Sequence, residues 1–368
     1  MRKARVVLCG SNHGSSYVLP ILVDDPAFAR ALRADDRELW RSYRTALGAL
    51  RRDAGLGTRG RGVRATLVGL VARGSRRSRA LAADVGVPMV SSVAEAVEER
   101  PDLAIVAVPD GAGGGAMALE FLDRGVAVLQ EHPVASARVA RCLRAAQRSR
   151  CAYEINAHFS DLPLVRGFIR EAHRIGRTQA PLSVSIMTSP RCLYSLLDVL
   201  RRIFGPLEAL RWDVARRGKR RRSRSRRSWL EYETLTGTIR GTPLVLQVQS
   251  GTGETDDGND VLANNRISIW FRDGELCSFD ALKGPVIWSR RGARPSRRGN
   301  GGATAWDLVY GTAPTFTEGV ARRFAANRLA IERILRSARG RQAHADTAPA
   351  ALIDVAGSYD RLAGILRG

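Results

Sequence analysis

Short apolar runs alternate with helical patterns over the first 157 residues. The first run, Ala4–Cys9, has the pattern of a buried strand, and a glycine-containing turn and a helical pattern follow it. Further strand patterns occupy residues 66–72, 88–90, 103–108, 126–129 and 151–156. Helical patterns lie between them at residues 77–85, 92–99, 114–124 and 136–149. This alternation predicts an α/β fold with an N-terminal Rossmann domain, a doubly wound parallel sheet.

The pattern changes after residue 158. Helical patterns are now few, at residues 161–174, 191–203, 318–338 and 350–366. Strand patterns dominate, at residues 182–188, 206–214, 230–239, 243–249, 266–272, 275–280 and 284–288. Several are joined by short turns, which predicts a C-terminal α+β domain on a mostly antiparallel sheet. We therefore predict a Rossmann domain over residues 1–157 and a substrate and oligomerisation domain over residues 158–368.

Two basic segments interrupt this pattern. Residues of about 30–62 delay the second strand, and we interpret them as an insertion in the first crossover. Residues 216–227 carry nine positive charges and no acid, within a chain of net charge +23. Such a block is typical of a solvated loop and can also attract an acidic partner. Specific nucleic-acid binding is disfavoured, because no recognition module and few stacking aromatics accompany the arginines.

The cysteines and the apolar runs indicate the compartment. The five cysteines show neither Cys-x-x-Cys nor a metal-ligand spacing, so we expect reduced thiols and no metal. No run has the length of a secretory or membrane-spanning segment. We therefore expect a cytoplasmic protein with no membrane partner.

Two turns predict a bound dinucleotide. Gly10, Asn12, His13 and Gly14 lie between the first strand and its helix, where backbone N–H groups can hold a pyrophosphate. An ordinary βα turn is the alternative interpretation. After the second strand, Arg73, Ser75, Arg76 and Ser78 occur without any acid. Arginine there favours the 2′-phosphate of NADP(H), and a merely basic turn is the alternative.

The sequence Gln130-Glu131-His132-Pro133 directly follows the strand pattern at 126–129. Ligands of open α/β sheets gather at the carboxyl ends of strands, so Pro109, Glu131 and His132 are predicted cofactor contacts. Because histidine titrates near neutrality, His132 is also a candidate proton donor. Its alternative role is to orient the nicotinamide or a water molecule.

Together these motifs resemble the thiazolinyl imine reductase branch of the glucose–fructose oxidoreductase/inositol dehydrogenase (Gfo/Idh/MocA) superfamily. Sugar-oxidising members carry lysine at the middle of Glu-x-Pro and an Asp-x-x-x-His pair on a later helix. This chain has His132, and Asp198 is followed by Arg202. The resembling segments are Gly10-Ser-Asn-His-Gly-Ser-Ser-Tyr17, Leu70-Val-Ala-Arg-Gly-Ser-Arg-Arg-Ser78, Gly125-Val-Ala-Val-Leu-Gln-Glu-His-Pro133, Tyr153-Glu-Ile-Asn156, Leu193-Tyr-Ser-Leu-Leu-Asp-Val-Leu200 and Gly284-Pro-Val-Ile-Trp-Ser289.

The resemblance implies NADPH-dependent reduction of a thiazoline C=N to a thiazolidine in nonribosomal, siderophore-type biosynthesis. The substrate would be tethered to a carrier protein of a peptide synthetase, and self-association as a homodimer is expected. Family members place a tyrosine where this chain has Phe159. Either His158 replaces that tyrosine as the acid, or a water held by His132 does, or the tyrosine was never essential. Phe159, Tyr194 and Asp198 are the predicted substrate contacts, and Tyr194 and Asp198 lie one helical turn apart. Helix-cap and core contacts are the alternative interpretation for Tyr194 and Asp198.

Other functions remain open at this point. A dehydrogenase of a sugar, polyol or amino acid is one alternative, and the absence of the Asp-x-x-x-His pair disfavours it. A non-catalytic sensor that only binds NADPH is another. Retention of His132 argues against the sensor, whereas the loss of the tyrosine argues for it.

Overall fold

The structure, a computed structural model, forms two compact units. The first comprises Met1–Asp161 and Thr315–Gly357, and the second Leu162–Pro314 and Ser358–Gly368. The structure describes residues 3–11, 18–22, 65–213, 231–250, 264–290, 306–310, 316–340 and 347–367. The predicted insertion at 30–62 and the basic loop at 216–227 lie outside these residues.

The first unit contains the predicted parallel sheet. Its strands are β1 Ala4–Cys9, β2 Ala65–Val71, β3 Met89–Val90, β4 Leu103–Val106, β5 Ala127–Glu131 and β6 Tyr153–Asn156. Their order is β3-β2-β1-β4-β5-β6, and every pairing is parallel. The order reverses between β1 and β4, which is where doubly wound sheets bind their ligands. The Rossmann prediction is confirmed.

Six helices accompany this sheet in the described part of the first unit. They are α1 Leu19–Leu22, α2 Arg76–Val85, α3 Val93–Glu98, α4 Gly114–Asp123, α5 Ser136–Arg148 and, far along the chain, α8 Phe316–Ser337. Two serines fix helix starts: the hydroxyl of Ser75 accepts the N–H of Ser78 at α2, and that of Ser92 accepts the N–H of Glu95 at α3. Such N-caps satisfy donors that the first helical turn leaves open.

Helix α8 belongs to the first unit, which differs from the predicted division at residue 157. Phe324, Ile331, Ile334 and Leu335 are buried in one apolar cluster with side chains of β1, β2, β4 and β5. Helix α8 therefore completes the core of the first unit, although its sequence lies after the second sheet. A boundary drawn along the sequence could not show this, because it depends on contacts between distant segments.

Arg333 on α8 makes two buried ion pairs, one with a carboxylate on β6 and one with a carboxylate in the 3-10 turn that follows β6. Its Nε lies 2.9 Å from Oε2 of Glu154 on β6, and its Nη1 lies 2.9 Å from Oδ2 of Asp161. Burial raises the pKa of Glu154, and Arg333 opposes that shift. Burial alone would lower the pKa of Arg333, but Asp161 and Glu154 raise it. The segment between the two carboxylates, residues 155–160, is thus anchored at both ends.

The second unit contains an eight-stranded sheet that is antiparallel except between β7 and β10. Its order is β14-β13-β12-β11-β7-β10-β9-β8. The strands are β7 Ser183–Thr188, β8 Leu210–Asp213, β9 Glu231–Ile239, β10 Thr242–Ser250, β11 Arg266–Phe271, β12 Gly274–Ser278, β13 Val286–Arg290 and β14 Trp306–Tyr310. The predicted fold class is confirmed. Strand β14 was not predicted, and part of the predicted strand at 206–214 is a 3-10 turn over Leu207–Ala209.

Three helices complete the described chain: α6 Pro163–Gly176, α7 Leu193–Phe204 and α9 Pro349–Arg367, within which the division between units falls. Among the described residues, no helix has an apolar stretch that would cross a bilayer. All five cysteines are free thiols, and burial raises the pKa of Cys142 and that of Cys151 to about 11. These thiols are therefore protonated at neutral pH.

Replacing Arg333 by glutamine should lower the free energy of unfolding by about 3–5 kcal/mol at pH 7, because two buried carboxylates lose their cation. The deficit should shrink as the pH falls from the raised native pKa of Glu154 toward its ordinary value of 4.5. Without Arg333 the native pKa of Glu154 rises further, so in that window the variant takes up more protons on folding than the parent chain and gains more stability on acidification. Urea unfolding at several pH values measures this.

Arg148→Gln is the matched control for that experiment. Arg148 pairs with Asp123 at 3.0 Å, but both side chains are more than half exposed. Its loss should change stability by no more than about 0.5 kcal/mol. Equal effects of the two substitutions would show that the Arg333 pairs do not anchor the segment.

Candidate active site

The end of β5 positions His132. Gln130 is fully buried, and the hydroxyl of Tyr153 donates to its Oε1 at 2.8 Å. Strand β5 ends at Glu131, so His132 leaves the sheet at its carboxyl edge. In the parallel register Glu131 lies opposite Asn156, the last residue of β6, which brings the two strand ends together.

Glu131, His132 and His158 form one compact cluster. Oε1 of Glu131 lies 3.7 Å from Nε2 of His132 and 3.6 Å from Nδ1 of His158. The two imidazole centroids are 5.7 Å apart. Only 14%, 8% and 11% of these three side chains are exposed. The structure therefore brings together both predicted catalytic histidines, with a carboxylate between them.

Asn156 holds the carboxylate in place. Its Nδ2 donates to Oε2 of Glu131 at 2.9 Å and to Oδ1 of Asn327 on α8 at 2.7 Å. Sequence reasoning missed this role. For Asn156 the signal is its position at the end of a predicted strand, next in sequence after the strand that ends near Glu131. For Asn327 no sequence signal exists, since it lies 171 residues away along the chain.

Phe159 and His158 occupy different environments although they are adjacent. Phe159 begins a 3-10 turn, is 6% exposed, and stacks against the His158 ring at 4.7 Å between centroids. His158 has a φ of +22°, which is rare for a residue with a side chain. With this backbone conformation, the His158 imidazole packs against the Phe159 ring and lies beside the Glu131 carboxylate.

The predicted pyrophosphate turn begins with a glycine that the structure requires. Gly10 has a φ of +97°, and a Cβ there would lie 2.9 Å from the carbonyl oxygen of Ala107. In the neighbouring turn, the carbonyl oxygen of Pro109 accepts the N–H groups of Ala112 and Gly114. Asn12, His13 and Gly14 lie outside the described residues. Close backbone approach at the β1–β4 reversal fits a dinucleotide.

The turn after β2 has the cations predicted for a 2′-phosphate. Arg73, Ser75 and Arg76 are exposed, and Nη2 of Arg73 donates to the carbonyl oxygen of Ala112 at 3.2 Å. Ser78 is buried, and its hydroxyl donates to the backbone oxygen of Ser75. Two guanidinium groups and one hydroxyl therefore remain accessible on this turn.

Tyr194 and Asp198 lie in the second unit, on α7. Tyr194 is 2% exposed, and its ring centroid lies 5.5 Å from that of Tyr359. Burial, and then the charges of Asp198 and Asp360, raise the pKa of Tyr194. Oδ2 of Asp198 accepts from Nε of Arg202 at 3.1 Å. Arg202 stands where the Asp-x-x-x-His pattern has histidine, so here the aspartate is paired with a permanent cation.

Part of the first unit is similar in sequence to a known protein family. Residues 47–156 match the Gfo/Idh/MocA family, an oxidoreductase family with an NAD-binding Rossmann fold. No curated protein has a sequence that matches the chain.

Solved structures share the fold over nearly the whole chain. UDP-N-acetylglucosamine 3-dehydrogenase GnnA from Acidithiobacillus ferrooxidans has a TM-score of 0.59 and 17% identity, covering 98% of this chain and 97% of its own. The WlbA dehydrogenase from Chromobacterium violaceum, in complex with NADH and UDP-GlcNAcA, gives 0.60 and 13%, covering 100% and 94%. An oxidoreductase from Agrobacterium radiobacter, in complex with NAD+, L-tartaric acid and magnesium, gives 0.61 and 10%, covering 98% and 95%.

Asn156→Asp should lower the free energy of unfolding by at least about 1–3 kcal/mol at neutral pH. The substitution is nearly isosteric, but it replaces the donor between Glu131 and Asn327 by an acceptor. The new carboxylate oxygen then faces Oε2 of Glu131 and Oδ1 of Asn327, and no hydrogen atom is available to form a bond to either. Urea unfolding of the variant and the parent chain measures the loss, and equal stability would show that the amide bonds do not hold Glu131.

Proposed function

We propose that this protein is an NADPH-dependent reductase that converts a thiazoline C=N to a thiazolidine on a carrier-protein-tethered intermediate. The observation that carries the proposal is the cluster of His132 and His158 about Glu131. It offers two imidazoles, which can give or accept a proton, where the sugar-oxidising relatives use lysine. The resemblance of the motifs to thiazolinyl imine reductases supplies the substrate class.

The reaction needs one hydride and one proton. Hydride adds to the imine carbon, a proton adds to the nitrogen, and C=N becomes CH–NH; NADPH, when bound, supplies the hydride. His132 leaves the sheet at the carboxyl end of β5, on the edge where such folds hold the nicotinamide. Its Nε2 can carry the proton, and the Glu131 oxygen 3.7 Å away compensates the imidazolium charge.

Phe159 cannot donate a proton, so the acid must come from elsewhere in the cluster. The His158 imidazole lies on the same carboxylate as His132, with its Nδ1 3.6 Å from Oε1 of Glu131. We assign His132 as the donor to substrate and His158 as the group that shares the carboxylate with it. Glu131 orients both rings rather than touching the substrate.

Two further proposals concern binding. Arg73 and Arg76 on the turn after β2 would hold the 2′-phosphate of NADPH through charge-assisted bonds. The net charge of +23 would attract an acidic carrier protein, since opposite charge accelerates encounter.

A dehydrogenase of a nucleotide sugar is the second candidate, favoured by the names of the GnnA and WlbA structures. Oxidation of a carbinol needs a base that accepts the hydroxyl proton. The pairing of Asp198 with Arg202 removes the acid–histidine pair that sugar dehydrogenases of this superfamily place on that helix. This pairing is the reason for preferring reduction of an imine.

The proposed function predicts consumption of NADPH with a thiazoline thioester and none of NADP+ or NAD+ with UDP-N-acetylglucosamine or a polyol. Stopped-flow absorbance measures both. His132→Ala should lower kcat by about 10²–10⁴-fold, because a positioned acid contributes that much, while NADPH affinity changes little. Unchanged turnover would remove His132 from the mechanism, and sugar oxidation without thiazoline reduction would replace the proposal.

The cofactor assignment predicts that Arg73→Ala and Arg76→Ala each weaken NADPH binding by about 10–100-fold, as expected for a lost charge-assisted bond of about 1.5–3 kcal/mol. NADH binding should not change, because it lacks the phosphate. Arg77→Ala, an exposed arginine on the same helix, is the matched control. Fluorescence titration measures the affinities, and equal affinity of the parent chain for NADH and NADPH would contradict the assignment.

A further inference from the structure

The Glu131–His132–His158 cluster has a second property that hydride chemistry does not need. The three side chains offer two imidazole nitrogens and one carboxylate oxygen, all within 4.8 Å of one another. A histidine pair with one glutamate is a recognised ligand set of open zinc sites. We propose that this cluster binds one Zn²⁺ through Oε1 of Glu131, Nε2 of His132 and Nδ1 of His158.

The spacing of the ligand atoms supports the proposal. Zinc bonds to nitrogen and oxygen are about 2.0–2.2 Å long, so tetrahedral ligands lie about 3.4 Å apart. The oxygen of Glu131 is 3.7 Å from the nitrogen of His132 and 3.6 Å from that of His158. The ligand atoms of the three side chains all lie within 4.8 Å of one another, so side-chain shifts of up to about 1.5 Å separate this arrangement from a coordinated ion.

The environment of the cluster also suits a metal. Oε2 of Glu131 accepts from Asn156, whose other N–H is held by Asn327, so the carboxylate is oriented from behind. Such outer bonds are typical of metal sites and strengthen them. Among the described residues, Nδ1 of His158 is buried and has no hydrogen-bond partner. The Glu131 carboxylate oxygen lies 3.6 Å from this nitrogen, and a cation would bridge the two.

Three protein ligands leave the fourth position of a tetrahedral ion open to water or substrate. Imidazole and carboxylate together favour zinc over magnesium or calcium, which prefer oxygen ligands alone. A bound ion would occupy Nε2 of His132 and so displace the proton that the proposed reduction uses. Zn²⁺ is then an inhibitor of that reaction, a consequence that rests on the proposed function, whereas binding itself does not.

Isothermal titration of the full chain with Zn²⁺, without cofactor or substrate, tests the proposal. We expect one site, and more than about 100-fold weaker binding in each of Glu131→Gln, His132→Gln and His158→Gln. The loss of a ligand should exceed the 10–100-fold typical of an outer partner. His173→Gln is the matched control, because His173 lies in the second unit and binds the carbonyl oxygen of Arg202 at 2.8 Å.

Replacing Zn²⁺ by Co²⁺ identifies the ligands independently of any variant. The Co²⁺ spectrum should be tetrahedral without thiolate bands, because the cluster contains no sulfur. Thiolate bands, binding that survives in all three ligand variants, or no binding would overturn the proposal. Thiazoline reduction measured in the presence of a chelator stays a test of the proposed function alone, so the two failures are distinguishable.

Discussion

The amide of Asn156 donates to Glu131 and to Asn327 at the same time, and these two bonds hold one carboxylate among three elements of the first unit. Strand β5 supplies Glu131, β6 supplies Asn156, and α8 supplies Asn327. Each element is buried against the others, so the carboxylate cannot move without disturbing the core. The positions of both imidazoles follow from this fixed negative charge.

Arg333 extends the same constraint along the chain. Its ion pairs with Glu154 and Asp161 bracket the segment that contains Asn156, His158 and Phe159. A permanent buried cation between two carboxylates costs desolvation and fixes geometry, so it specifies position more than it adds stability. Helix α8 therefore contributes both to the core and to the site, although it comes after the second sheet in sequence.

The sequence predicted both sheets and the position of His132 at the carboxyl end of β5. Apolar periodicity and the residues that end a strand are local properties of the sequence. It could not predict that His158 would share a carboxylate with His132, since this depends on the parallel register between Glu131 and Asn156 and on the unusual backbone of His158. The contribution of Asn327 and Arg333 depends on a contact between segments more than 170 residues apart. Likewise, strand β14 follows a stretch without clear alternation and was missed.

The proposed function depends on which substrate atom receives the hydride. The most direct measurement is mass spectrometry of the product formed with NADPH that carries deuterium at the transferred position of its nicotinamide, using a carrier-tethered thiazoline. The account predicts one deuterium on the former imine carbon and a thiazolidine nitrogen protonated from solvent. A product without deuterium on that carbon would contradict it.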